Sequence, residues 1–232
     1  LEREMRDALT YRQFVIHYQP QVDRHGHLLG AEALIRWQHP VRGLVHPGEF
    51  IRLAEETRLI VPIGRWVLEE ACRQLAAWKN YPATAGLTLA VNVSPLQFRD
   101  PGFISTIAEA LKDSGAPARK LKLEITETLF LGDIANTIER LTILKHEMGI
   151  GLSLDDFGTG YSSLNYLKQL PLDQVKIDRS FVSDVHVNPS DSAIAAAVIA
   201  LGHTFGLEVV AEGVETTEQR DALVALGYER FQ

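Results

Sequence analysis

The sequence predicts an α/β protein of the TIM-like (β/α)8 barrel class with an antiparallel first strand. Three observations lead there. From Thr88 onward, short apolar runs alternate with stretches of helical period, and regular β-α alternation means parallel strands joined by helical crossovers. With two earlier strands this makes eight strands in 232 residues, the strand number and size of one closed barrel. The first two strands are separated only by Asp23-Arg24-His25-Gly26, a connection so short that the pair is an antiparallel hairpin. An open doubly wound sheet is the alternative reading of the same pattern.

The elements follow in order. Leu1 to Leu9 reads as a short helix, apolar at Leu1, Met5, Ala8 and Leu9. Phe14 to Gln19 and Leu28 to Trp37 are the hairpin strands. Phe50 to Thr57 and Ile63 to Trp78 carry apolar residues at helical spacing. Thr88 to Val93 is a strand, and Pro101 to Ser114 a helix with Asp100 as its expected N-cap. Leu121 to Ile125 is a strand, Asp133 to Met148 a helix, and Gly151 to Leu154 a strand. A short helix is expected from Ser162 to Leu167, then a strand over Val175 to Ile177 and a helix over Asp191 to Phe205. Glu208 to Ala211 is a strand, Glu218 to Leu226 a helix, and Tyr228 to Gln232 a last strand. Trp66 and Trp78 fit a core face, while Trp37, at a strand end, fits either side.

Composition narrows the function. A hydrophobic fraction of 46% and a charged fraction of 23% are those of a globular protein. No apolar run is long enough to span a bilayer, and no secretory signal is visible. Cys72 is the only cysteine, so no internal disulfide forms, which fits a reducing, cytoplasmic setting. The net charge of −7 argues against a nucleic-acid polymer as partner, which needs a basic patch. The eight histidines form no HExxH or Cys/His cluster of the zinc type.

The chemistry concentrates at strand ends. Leu152-Ser153-Leu154 delivers Asp155 and Asp156 to the mouth of the glycine-rich run Phe157-Gly158-Thr159-Gly160. Adjacent strand residues point to opposite faces, so a strand end is expected to turn both acids toward one site. Two like charges that close repel, and a divalent cation removes the conflict. Barrel enzymes place such groups at the C-terminal ends of the strands. There the other strands offer Glu32, Asn92, Glu124 with Glu127 beyond, Lys176 with Asp178, Glu212 with Glu215 beyond, and Gln232. Burying so many acids without cations is prohibitive. Oxygen donors alone select Mg²⁺ or Mn²⁺, with Ca²⁺ as an inert substitute, and five or six acids suit two ions better than one. Lys176 is either a structural counter-charge or a contact to a phosphate oxygen or attacking hydroxide. Two oxygen-ligated metals and a lysine point to phosphoester hydrolysis. Gly158-Thr159-Gly160 lacks the Gly-Lys of a P-loop, and a retaining glycosidase would leave most of the acids unexplained.

These residues also resemble a family. Ala31-Glu32-Ala33-Leu34-Ile35-Arg36-Trp37 contains the Glu-Ala-Leu signature of the EAL domain, the bacterial phosphodiesterase of cyclic di-GMP. The series continues in order with Tyr18-Gln19-Pro20, Pro47 to Glu56, Val91-Asn92-Val93-Ser94, Leu123-Glu124-Ile125-Thr126-Glu127, Asp155 to Leu164, Lys176 to Val182 and Ala211 to Thr216.

The resemblance implies that Glu32, Asn92, Glu124 and Asp155 hold one metal and that Asp156 helps hold the second. Glu212 is a ligand or general base, and Lys176 contacts the water or phosphate. Glu127 anchors the loop after Asp156, Gln232 matches the late glutamine of the site, and Gln19, Arg36 and Asp178 contact substrate. It implies two-metal in-line attack of hydroxide on one phosphorus, giving linear pGpG, with two Mg²⁺ or Mn²⁺ ions and inhibition by Ca²⁺. The alternative within the family is a non-catalytic cyclic di-GMP receptor. A homodimer is expected near the helix after the glycine-rich loop.

Residues 1–10 are expected to be a linker helix from an upstream GGDEF or sensory domain, with the phosphodiesterase domain over 11–232. Many family members continue past the late glutamine, so the last strand is expected to be incomplete. No membrane contact by this domain is expected. Arg58 stands where the family often has glycine, a departure expected to be harmless.

Overall fold

The computed structural model describes residues 1–158 and 167–232. The chain divides into two compact units, Leu1–Gln19 with Ala31–Leu121 and Pro20–Gly30 with Lys122–Gln232. The strands are β1 (Phe14–Asp23), β2 (Leu28–His39), β3 (Gly43–Val45), β4 (Thr88–Val93), β5 (Leu121–Thr126), β6 (Gly151–Phe157), β7 (Gln174–Ile177), β8 (Glu208–Ala211) and β9 (Arg230–Phe231). Their hydrogen-bonded order is β1-β9-β8-β7-β6-β5-β4-β2-β3, with β1 also paired to β2. This is the connectivity of the expected TIM-like (β/α)8 barrel. β1 runs antiparallel to β9, whereas β5 through β9 are mutually parallel.

The first unit adds α1 (Glu2–Thr10), α2 (Pro47–Glu56), α3 (Ile60–Trp78), α4 (Pro95–Phe98) and α5 (Phe103–Ser114). In α3 the buried residues are Ile60, Ile63, Gly64, Val67, Leu68, Ala71, Cys72 and Leu75. They recur in the i, i+3, i+4, i+7 pattern, so one helical stripe faces inward. Met5 and Ala8 of α1 join Phe14, Trp37, Phe50 and Ala54 in one core cluster. Trp37 is fully buried, and its Nε1–H donates to Gln13 Oε1 at 3.1 Å, which satisfies the one polar atom of its ring.

The second unit adds α6 (Ile134–Thr142), α7 (Arg179–Val182), α8 (Pro189–Phe205) and α9 (Thr217–Leu226). Asp133, Asp178, Asn188 and Thr216 accept backbone N–H groups as their N-caps, each satisfying a donor that the helix leaves open.

Several expectations need correction. Among the described residues one strand comes in addition to the eight expected: β3 pairs antiparallel with the end of β2, Trp37 opposite Val45. Three residues after a Pro40-Val41-Arg42 turn are too few to show a period. Asp100 does not cap a helix beginning at Pro101. Its Oδ1 accepts from Gly102 N–H at 2.9 Å inside a turn, and α5 starts at Phe103. The helix expected to reach Met148 ends in a π-helical turn over Ile143–Glu147. The last strand is shorter than expected, Arg230–Phe231. The helix expected over Ser162 to Leu167 lies outside the described residues except for Leu167.

Arg58 has φ +60°. That left-handed geometry brings an L residue's Cβ against its own backbone, which explains why glycine suits the position. Arg58→Gly is therefore expected to raise the urea midpoint, by about 1 kcal/mol of unfolding free energy; an unchanged or lower midpoint would show that the arginine side chain compensates. Burial, with the Glu69 carboxylate adding to it, pushes the Cys72 thiol up to about 12. Cys72 is expected to react with a maleimide only after unfolding; rapid labelling of the native chain at neutral pH would contradict this.

Candidate active site

Asp155 and Asp156 sit within β6, not beyond its end, and a bulge turns them together. Leu154 pairs with Val175, but Phe157 pairs with Ile177. β6 thus uses three residues where β7 uses two. Asp156, in the middle, has φ +53°. The extra residue breaks the strict alternation of faces, so neighbouring side chains reach one site. Donor oxygens of Asp155, Asp156 and Glu212 all lie within 4.8 Å of one another.

Lys176 stands at the centre of this unit's charges. It is fully buried, with Nζ 3.0 Å from Glu124 Oε2 and 3.5 Å from Asp155 Oδ1. It also pairs with Glu212 Oε1. Glu124 is 1% and Asp155 9% exposed. The register carries them there. Thr126 pairs with Asp155, and Ile177 pairs with Ala211, which sets Lys176 and Glu212 at neighbouring strand ends. Behind Glu212, Gly213 has φ +68°, and a Cβ there would lie 2.7 Å from Arg179 Cβ. Only glycine lets the chain leave β8 this close to α7.

Burial raises the Asp156 pKa, and the Asp155 and Asp178 carboxylates raise it further. Asp178 goes the other way. Burial pushes its carboxyl up, but hydrogen bonds from the Ser180 hydroxyl and N–H and from Arg179 N–H together bring it below its ordinary value. Oxygen donors crowded at this spacing, one of them pushed toward protonation, fit a hard divalent cation.

The remaining candidates fall as follows. Glu127 Oε1 accepts from Gly158 N–H at 3.3 Å, two residues after Asp156. In the first unit, Glu32 is 5% exposed and its Oε1 accepts from Asn92 Nδ2 at 2.5 Å. Arg36 Nη1 donates to Ile35 O at 2.9 Å, and Gln19 is exposed. Gln232 N–H donates to Ala211 O at 2.9 Å, which places it beside Glu212. Sequence reasoning missed Gln21. It is 5% exposed, and its Nε2 donates to Gln232 Oε1 at 2.7 Å. A polar residue two positions from Gln19, on the same face of the strand, was the available signal.

A profile of the EAL domain matches residues 2–232. The chain is similar to MucR of Pseudomonas aeruginosa, a bifunctional diguanylate cyclase/cyclic di-GMP phosphodiesterase, at 46% identity over 100% of this chain and 34% of that protein. It is similar to the cyclic di-GMP phosphodiesterase PdeR of Escherichia coli at 38% identity over 100% of this chain and 35% of that protein. The chain thus spans about a third of the length of these curated relatives. Among solved structures, the MucR phosphodiesterase in complex with c-di-GMP superposes with a TM-score of 0.95 at 46% identity, covering 100% of this chain and 93% of that one. The FimX EAL domain of Pseudomonas aeruginosa bound to c-di-GMP gives a TM-score of 0.88 at 26% identity, covering 100% and 92%. With the profile spanning residues 2–232 and a solved relative at 46% identity matched over 93% of its length, the chain belongs to the EAL domain family.

Proposed function

We propose that this domain hydrolyses cyclic di-GMP to linear pGpG. The observation that carries the reading is the convergence of Asp155, Asp156 and Glu212 donor oxygens beside the buried Lys176. The activities for which MucR and PdeR are named support it. Glu32, Asn92, Glu124 and Asp155 are the donors proposed for one metal; Asp156 and Glu212 serve the second. Two Mg²⁺ or Mn²⁺ ions held by these residues would supply an acidified water and neutralise phosphate charge, and Ca²⁺ would occupy the same donors as an inhibitor.

The chain's own groups divide the remaining work. Glu212 accepts the proton of the attacking water. Lys176, paired with its three acids, steadies a phosphate oxygen. Arg36 suits a phosphate by its planar fork. Asp178, kept ionised, accepts from a base N–H, and Gln19 adds an amide contact. Attack in line with the scissile bond expels the 3′ oxygen and opens the ring. Glu127 holds the segment after Asp156 through Gly158.

Among the described residues no helix is long and apolar enough to cross a membrane. The domain is read as a cytoplasmic module, joined through residues 1–10 to an upstream GGDEF or sensory domain and paired as a homodimer.

Hydrolysis of cyclic di-GMP with Mg²⁺ or Mn²⁺ is the direct test. Tight binding without turnover would instead support the receptor reading. Glu32→Ala is expected to cut turnover more than about 100-fold, and a variant near the wild-type rate would refute its place among the metal ligands.

The raised Asp156 pKa fixes a second expectation. The folded, metal-free chain holds this proton more tightly than the unfolded chain, so its stability falls as pH rises through the folded pKa. A cation on Asp156 removes that penalty. The gain in melting temperature from Mn²⁺ is therefore expected to be larger at about pH 7.5 than at about pH 5. An equal gain at both would count against Asp156 as a ligand.

A further inference from the structure

The antiparallel course of β1 has a consequence at the site. Val22 lies opposite Phe231 and Asp23 opposite Arg230, and continuing that register sets Gln21 opposite Gln232. Directly opposed residues share a face and touch. Here the two amides meet, with Gln21 Nε2 donating to Gln232 Oε1 at 2.7 Å. Gln21 is 5% exposed, and a buried amide without a partner is costly, so this bond is specified by the fold. Gln232 is itself locked beside Glu212, for its N–H donates to Ala211 O at 2.9 Å and its O accepts from Val214 N–H at 3.1 Å. The backbone thus fixes where Gln232 stands, and Gln21 fixes which way its amide faces.

An amide carries a donor end and an acceptor end, and two orientations half a turn apart exchange them. With Oε1 turned to Gln21, the NH₂ of Gln232 lies on the other side of the amide. An anionic phosphodiester or the lone pair of an attacking water needs a donor there; a carbonyl in the same place would repel it. We propose that Gln21 is a positioning residue that holds the Gln232 amide donor-first toward the reacting phosphodiester. This rests on the phosphodiesterase reading.

The test uses Gln21→Glu, which keeps the shape but cannot donate when ionised, so it accepts from Gln232 and turns that amide round. The expected result is a fall of about tenfold in kcat with KM for cyclic di-GMP within about twofold. Gln21→Leu combined with Gln232→Leu is expected to be no slower than Gln232→Leu alone, because the first residue acts through the second. An unchanged kcat in Gln21→Glu, or additive losses in the double variant, overturns the proposal. A separate arm needs no turnover. The Gln232 side-chain amide resonance, assigned by its loss in Gln232→Leu, is expected to move in Gln21→Leu while the backbone spectrum stays folded; an unmoved resonance overturns the pairing. A wild-type domain that hydrolyses nothing sinks the phosphodiesterase reading instead, and the amide resonance then decides the pairing alone.

Discussion

Lys176 among Glu124, Asp155 and Glu212 is the interaction on which the site depends. A lysine buried without acids would give up its proton, and acids buried without a cation would take protons up. Here the ammonium lies within ion-pair distance of all three carboxylates. The pairing differs in kind from an exposed pair such as Arg52 with Glu56, whose side chains are 89% and 58% exposed and which adds little to stability. Removing one partner of the buried group strands the others without compensation. One ammonium among three carboxylates still leaves a surplus of negative charge, and Asp156 adds to it. The surplus is what suits the place to divalent cations.

The backbone solves the second problem, that consecutive strand residues point apart. A bulge in β6 and a left-handed Asp156 bring both acids to one side. A non-glycine residue in that conformation costs on the order of 1 kcal/mol. The strain persists because the surroundings fix both flanks. Asp155 and Phe157 are buried, Asp156 N–H donates to Asp155 Oδ1 at 3.0 Å, and Glu127 holds Gly158. At Gly158 a Cβ would lie 3.1 Å from the Phe181 ring, so α7 closes on the segment from the other side.

Much of this was legible from residue order, for identifiable reasons. The stripe of α3 repeats over five turns, long enough for a period to declare itself. Thr88–Val93 and Glu208–Ala211 are apolar runs bounded by polar residues, and both occur at those limits. The acids stood out because each interrupts an apolar run. What stayed hidden depends on pairing or on short range. β3 has only three residues. Asp100 sits at a turn that resembles a helix start, and a local cap does not say which N–H it will meet. The bulge is a relation between β6 and β7, visible only once Leu154 and Phe157 are set against Val175 and Ile177. The spacing from Gln19 marks the face of Gln21, but its partner Gln232 emerges only from the register of β1 against β9. The backbone of Arg58 is likewise a property of place, since an arginine there reads as any surface residue.

Each group of the site is tied to a particular neighbour. Asn92 fixes Glu32, Lys176 fixes Glu124 and Glu212, Ser180 fixes Asp178, and Gln21 fixes Gln232. Displacing Glu124, Glu212 or Gln232 breaks a buried or partly buried polar contact and leaves its partner exposed to the desolvation penalty. Asp156 combines a left-handed backbone with a side-chain hydrogen bond to Asp178, so it too is held from outside its own segment. The same bulge that unites the two acids therefore sets Asp156 against Asp178 and, two residues on, Gly158 against Glu127.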